Sequence, residues 1–132
     1  MGVGDPPLEA PYTLSGPLPA GTYGLVGDGI VLGPTGGNVT VRFDIVWRKK
    51  GVAAPGGTTL ATFEHTFTQD PSNPFNAIAY QDQAPGLAAS AQPGDQLVLQ
   101  MTAVSGSAGA EYDPDGDGSF KNGRIPRIDL PQ

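Results

Sequence analysis

The chain has 132 residues, including 20 Gly and 14 Pro; only 15% are charged, and the formal net charge is -6. Without Cys there is no disulfide framework, thiolate metal site or Cys nucleophile, and a single His excludes a multi-His zinc centre. The acidic balance gives no footprint for nucleic acid or anionic membrane, and no apolar run approaches the ~20 residues of a membrane helix.

Residues 1–20 hold Pro6, Pro7, Pro11, Pro17 and Pro19, a spacing that no helix survives. They read as an extended Pro-rich arm with a short edge strand around Pro11–Leu14. The arm shows no charged n-region followed by an apolar h-region, so it does not read as a signal peptide. Residues 21–132 read as a single β-sandwich domain. Residues 22–32 are two short strands or one kinked strand, with Gly27-Asp28-Gly29 marking a bulge, a bend or a tight hairpin. Residues 33–37 form a turn.

The clearest pattern spans residues 38–49. Val39, Val41, Phe43, Ile45 and Trp47 fall on one face, and Thr40, Arg42, Asp44 and Arg48 on the other, with Val46 the apolar exception. Period-two alternation of this length predicts a half-buried antiparallel strand. Arg48-Lys49-Lys50 then reads as a solvated turn before a Gly/Ala/Pro loop over 50–57. Residues 58–68 alternate again. Ala61, Phe63, His65 and Phe67 share one face; Leu60, Thr62, Glu64, Thr66 and Thr68 share the other. The two runs predict a hairpin with Arg42 and Glu64 as cross-strand neighbours, worth ~0.2–1 kcal/mol.

A loop over 69–74 leads to a shorter strand at 75–80. Residues 81–95 are Ala-, Gln- and Pro-rich and close on the turn Pro93-Gly94-Asp95. Residues 96–104 alternate a third time, with Leu97, Leu99, Met101 and Ala103 inward, Gln96, Gln100 and Thr102 outward, and Val98 and Val104 unassigned. A polar loop over 105–123 precedes a last strand at 124–130. The total is an all-β fold, an antiparallel β-sandwich of jelly-roll or immunoglobulin-like type with seven or eight strands.

Asp113-Pro114-Asp115-Gly116-Asp117-Gly118 opens like a calcium loop, with oxygen ligands at alternate positions and Gly at the sharp turn. Asp113, Asp115 and Asp117 are therefore the candidate metal ligands and Ca2+ the candidate cofactor. The second half of the loop departs from the pattern, because Lys121 and Arg124 stand where ligands are expected. The competing reading is a solvated acidic turn. His65 between Phe63 and Phe67 reads as a core histidine, since neither GxSxG nor HExxH accompanies it. Trp47 either plugs the end of the core or offers a stacking platform. Tyr80 and Tyr112, next to polar and acidic residues, are placed at the rim as the other candidate binding aromatics. Asn38-Val39-Thr40 matches the glycosylation sequon.

The stretch from Pro93 to Thr102, a Pro-Gly-Asp turn feeding an alternating strand, resembles the start of the penultimate strand in many secreted jelly-roll modules. In its Gly, Pro, Thr and Asp content the chain is similar to small exported β-sandwich proteins of bacteria, among them carbohydrate-binding modules and surface-structure subunits. The resemblance implies a non-catalytic extracytoplasmic domain. Its partner is either a glycan or other surface proteins, including copies of itself in a fibre, shell or matrix. The alternative is a small hydrolase or other enzyme on the same scaffold.

Overall fold

In a computed structural model, residues 1–74, 77–112 and 127–132 are described, with Tyr112 described by its backbone alone. The predicted hairpin forms its spine: β3 (Asn38–Arg48) pairs antiparallel with β4 (Thr58–Thr68). On its other side β3 pairs with β6 (Gln96–Gly106), and β6 with β1 (Leu8–Thr13), giving one sheet in the order β1-β6-β3-β4. The facing sheet is centred on β2 (Gly21–Leu32), which pairs with β5 (Ile78–Gly86), β7 (Gly109–Tyr112) and β8 (Arg127–Asp129). All pairings are antiparallel, and the two sheets pack as a β-sandwich with no helix among the described residues. The chain changes sheet at every connection except β3–β4 and β7–β8.

The inward faces are those the alternation marked. Val39, Val41, Phe43 and Ile45 from β3, Phe63 and Phe67 from β4, and Leu97, Leu99 and Met101 from β6 meet Tyr23, Leu25 and Val31 of β2. Each fully buried side chain of this size contributes about 1.5–3 kcal/mol from water removal.

Several expectations are corrected, each for a local reason. Leu60, assigned by alternation to the polar face, is buried in the core. A register shift between Ile45 and Val46 leaves it unopposed, and this bulge turns it inward. A second shift, between Thr40 and Val41, leaves Val104, which alternation did not assign, unopposed on β3. Of the two alternatives for residues 22–32, the single strand is the one that forms. Gly29 serves close approach instead of bending: a Cβ there would lie 3.1 Å from the Phe67 ring. β5 extends through Gln81, Asp82 and Gln83, whose side chains are exposed, so hydropathy gave no sign of it. β7 occupies part of the expected 105–123 loop. Leu8–Thr13 of the Pro-rich arm lies in the first sheet against β6.

Val46 and Val98 point away from the core yet are buried, at 2% and 0% exposure. The loop after β3 folds back over them. Arg48 Nε donates to the Gly56 carbonyl at 2.7 Å, and Gln100 Nε2 donates to the Pro55 carbonyl at 2.8 Å. Arg48 also makes a two-pronged pair with Glu9 of β1, at 3.1 and 2.6 Å, and Gln100 Nε2 donates to the same carboxylate at 2.8 Å. Arg48 is thus a buried tie between the arm and the hairpin, not part of a solvated turn. Arg42 and Glu64 do lie opposite one another, but Arg42 Nε turns to Asp44 at 3.0 Å.

Candidate binding site

A sandwich has two long margins, and here they differ. At the β4–β5 margin the sheets are joined. The Leu87 N–H donates to the Leu60 carbonyl at 3.0 Å, and a cluster of rings fills the seam above it. Tyr80 stacks on Phe43 with ring centroids 5.4 Å apart, and His65 sits 4.6 Å from Phe67 and 4.5 Å from Tyr80.

At the β1–β8 margin the cover is partial. Leu8, Ala10 and Tyr12 stand opposite Met101, Leu99 and Leu97, so all three face inward. Among the described residues, only the three-residue β8 lies across from the far end of β1. Ala10 is buried, but Leu8 is 47% exposed and Tyr12 38%. Met1 closes one end of this margin, its carbonyl accepting from the Ala110 N–H at 2.8 Å. The rest is a cavity of about 360 Å³. Its walls are Leu14, Leu97, Ile128 and Leu130, with Tyr12, Thr13 and Arg127 also lining it. Arg127 Nε pairs with Asp129 Oδ1 at 2.9 Å, and Asp129 lies over Gly24, where a Cβ would meet it at 3.0 Å. The arrangement offers an apolar floor, one exposed ring and a rim of hydroxyl and guanidinium, the latter held by Asp129.

The edge of β1 beside this cavity has a defined polarity. The Leu14 N–H donates to the Asp95 carbonyl at 2.8 Å, and the Leu14 carbonyl accepts from the Gly94 N–H at 3.1 Å. Alternate residues of an antiparallel strand turn their peptide groups to the same side. Glu9, Pro11 and Thr13 therefore turn theirs outward. Pro11 has no N–H, so the middle of that edge lacks a donor, a common protection against strand addition.

Of the expected site residues, Trp47 and Tyr80 lie away from this cavity. Trp47 is half-buried against the end of the core, with Lys49 Nζ 5.3 Å from the ring centre. Its Nε1 donates to Asp95 Oδ2 at 3.0 Å, so the polar end of the ring is already engaged. Asp95 also accepts from the backbone N–H groups of Gln92 and Lys50, at 3.0 and 2.9 Å. These two N–H groups, then the indole, hold its carboxyl below the usual carboxylate range. The turn Asp therefore joins the ends of β1, β3 and β6.

Tyr80 is not at the rim. It is 3% exposed, because its position in β5 faces inward opposite Gly27, where no side chain competes for the space. Its hydroxyl donates to Asp82 Oδ2 at 3.3 Å, and burial pushes the phenol upward, with the Asp82 charge and hydrogen bond adding to it. Tyr112 lies in β7 opposite Gly29. Asp113, Asp115 and Asp117 lie outside the described residues. Among those described, no three His, Asp or Glu side chains gather to hold a metal.

The sequence reading missed Tyr12, Leu14 and Leu130. A signal for the first two was present: Leu8, Ala10, Tyr12 and Leu14 alternate like the longer strands, but the prolines around them masked it. Comparison with protein-family models, with curated proteins and with solved structures returns no match.

Proposed function

We propose that this chain is a non-catalytic extracytoplasmic binding domain whose ligand face is the open β1–β8 margin. One observation carries the reading: the inward side of β1 is left without a full cover, so an apolar cavity opens beside an exposed tyrosine and a polar rim. A ligand suited to such a surface has an apolar face and hydroxyl groups, which is the chemistry of a glycan. One sugar ring would lie against Tyr12, with Arg127 and the Thr13 hydroxyl as directional partners. Composition supports the extracytoplasmic setting, through low charge and a high content of Gly, Pro and Thr. Calcium held by Asp113, Asp115 and Asp117 stays within the proposal, and a rise in Tm on adding calcium is its test.

Glycan-array screening followed by titration calorimetry tests the reading. The expected result is binding that weakens roughly tenfold in Tyr12→Ala, the scale of a lost ring contact. Binding unchanged by that substitution, or no binding to any glycan, contradicts it. The exposed Leu8 on the same strand favours assembly with another surface protein as the second reading. Reversible self-association in sedimentation, abolished by Leu8→Lys, would select it.

A further inference from the structure

We infer that the β4–β5 seam is an acid-responsive device: protonating His65 favours opening of β5 from β4 and exposes the ring cluster beneath. The inference is independent of the ligand reading, which concerns the other margin. His65 stands on the inward face of β4, opposite Val41, and its ring is held between Phe67 and Tyr80. The ring is half-buried there, so an imidazolium loses part of its water, and the Asp82 charge offsets only some of that loss. Among the described residues, the charged and titratable groups around it are few. From β5, Tyr80 and Asp82 face it, and Asp82 already accepts from the Tyr80 hydroxyl at 3.3 Å. From β3, Val41 and Phe43 share its face, while Arg42 and Asp44 belong to the outer face. From β2, Gly27 and Gly29 present no side chain, and Asp28 alternates to the outer face. On β4 itself Glu64 points outward.

Burial lowers the His65 pKa, and the Asp82 charge only partly restores it. A lowered imidazole means that the open state binds the proton more readily. The seam's stability is complete above the free value of about 6.5 and declines as pH falls toward the lower, native value. On this chain the only His is also the only imidazole to observe.

Amide exchange corrected for intrinsic rates, compared at pH 7 and pH 5.5, tests the device. Protection at Leu87, whose N–H crosses the seam to the Leu60 carbonyl, is expected to fall several-fold, while this amide keeps exchanging faster than those of Val41 to Ile45. In His65→Phe the fall should vanish. No fall in the unaltered chain, the same fall in His65→Phe, or exchange at the seam no faster than in β3 would overturn the inference. Should His65→Phe not fold, NMR titration of the single imidazole decides instead. A midpoint below about 6.5 supports the device, and one at or above it refutes it.

Discussion

The two margins of the sandwich have the same architecture and opposite finishes. Along β4–β5, aromatic rings fill the space between the sheets, with Phe43, Phe67 and Tyr80 buried. Along β1–β8, the strand facing β1 is three residues long, and the same kind of inward side chain is left in contact with water. Cohesion and availability are thus divided between edges, not between core and loops. An apolar side chain that gains a cover stabilises the fold; one that lacks it becomes a surface for something else.

Substitutions sharpen the contrast in order of size. Phe43→Ala removes the ring that Tyr80 stacks on and empties the sealed side, so a loss of about 3–5 kcal/mol is expected in denaturant unfolding. Arg48→Ala cuts the tie between the arm and the hairpin and leaves Glu9 with the Gln100 hydrogen bond but no counter-charge beside a folded-back loop. A loss of about 2–3 kcal/mol is expected, below the upper range for buried pairs because Glu9 keeps some access to water. Gly29→Ala places a methyl 3.1 Å from the Phe67 ring. The ring must shift, and overpacking of that kind costs about 1–2 kcal/mol in the same assay. Tyr12→Ala, on the open side, is expected to cost less than about 1 kcal/mol while reducing ligand affinity. A Tyr12→Ala loss as large as that of Phe43→Ala would erase the distinction between the margins.

Acid distinguishes them too. Arg48, by its hydrogen bonds, holds the Glu9 carboxyl below its usual range, although partial burial opposes it. A carboxylate lowered in the native state contributes stability above its unfolded value of about 4.3 and loses it as pH falls through the native value. The β1 side should therefore weaken only below about pH 4, whereas the His65 seam responds from about pH 6.5 downward. Unfolding midpoints measured across pH 3–7 should show two separate declines, with the upper one absent in His65→Phe.

Most of the fold was legible because its long strands alternate without interruption: the faces of β3 and β6 follow directly from residues such as Val41, Phe43, Leu97 and Leu99. Where a bulge intervenes, at Leu60, alternation misassigns the side chain, since one extra residue breaks the period of two. The glycines of β2 were ambiguous because a missing side chain signals a turn and a close approach alike. Only the Phe67 ring over Gly29 distinguishes them. The open margin was the least visible. It depends on which strand lies opposite β1, and strand order is a property of long-range pairing that local patterns do not encode.

Methyl NMR of the folded chain, titrated with a methyl glycoside or a short glycan, tests the division of the margins most directly. The account predicts shifts clustered at the methyls of Leu14, Leu97, Ile128 and Leu130, with the methyls of Val41 and Leu60 unmoved. Shifts centred on Val41 and Leu60 instead would contradict it.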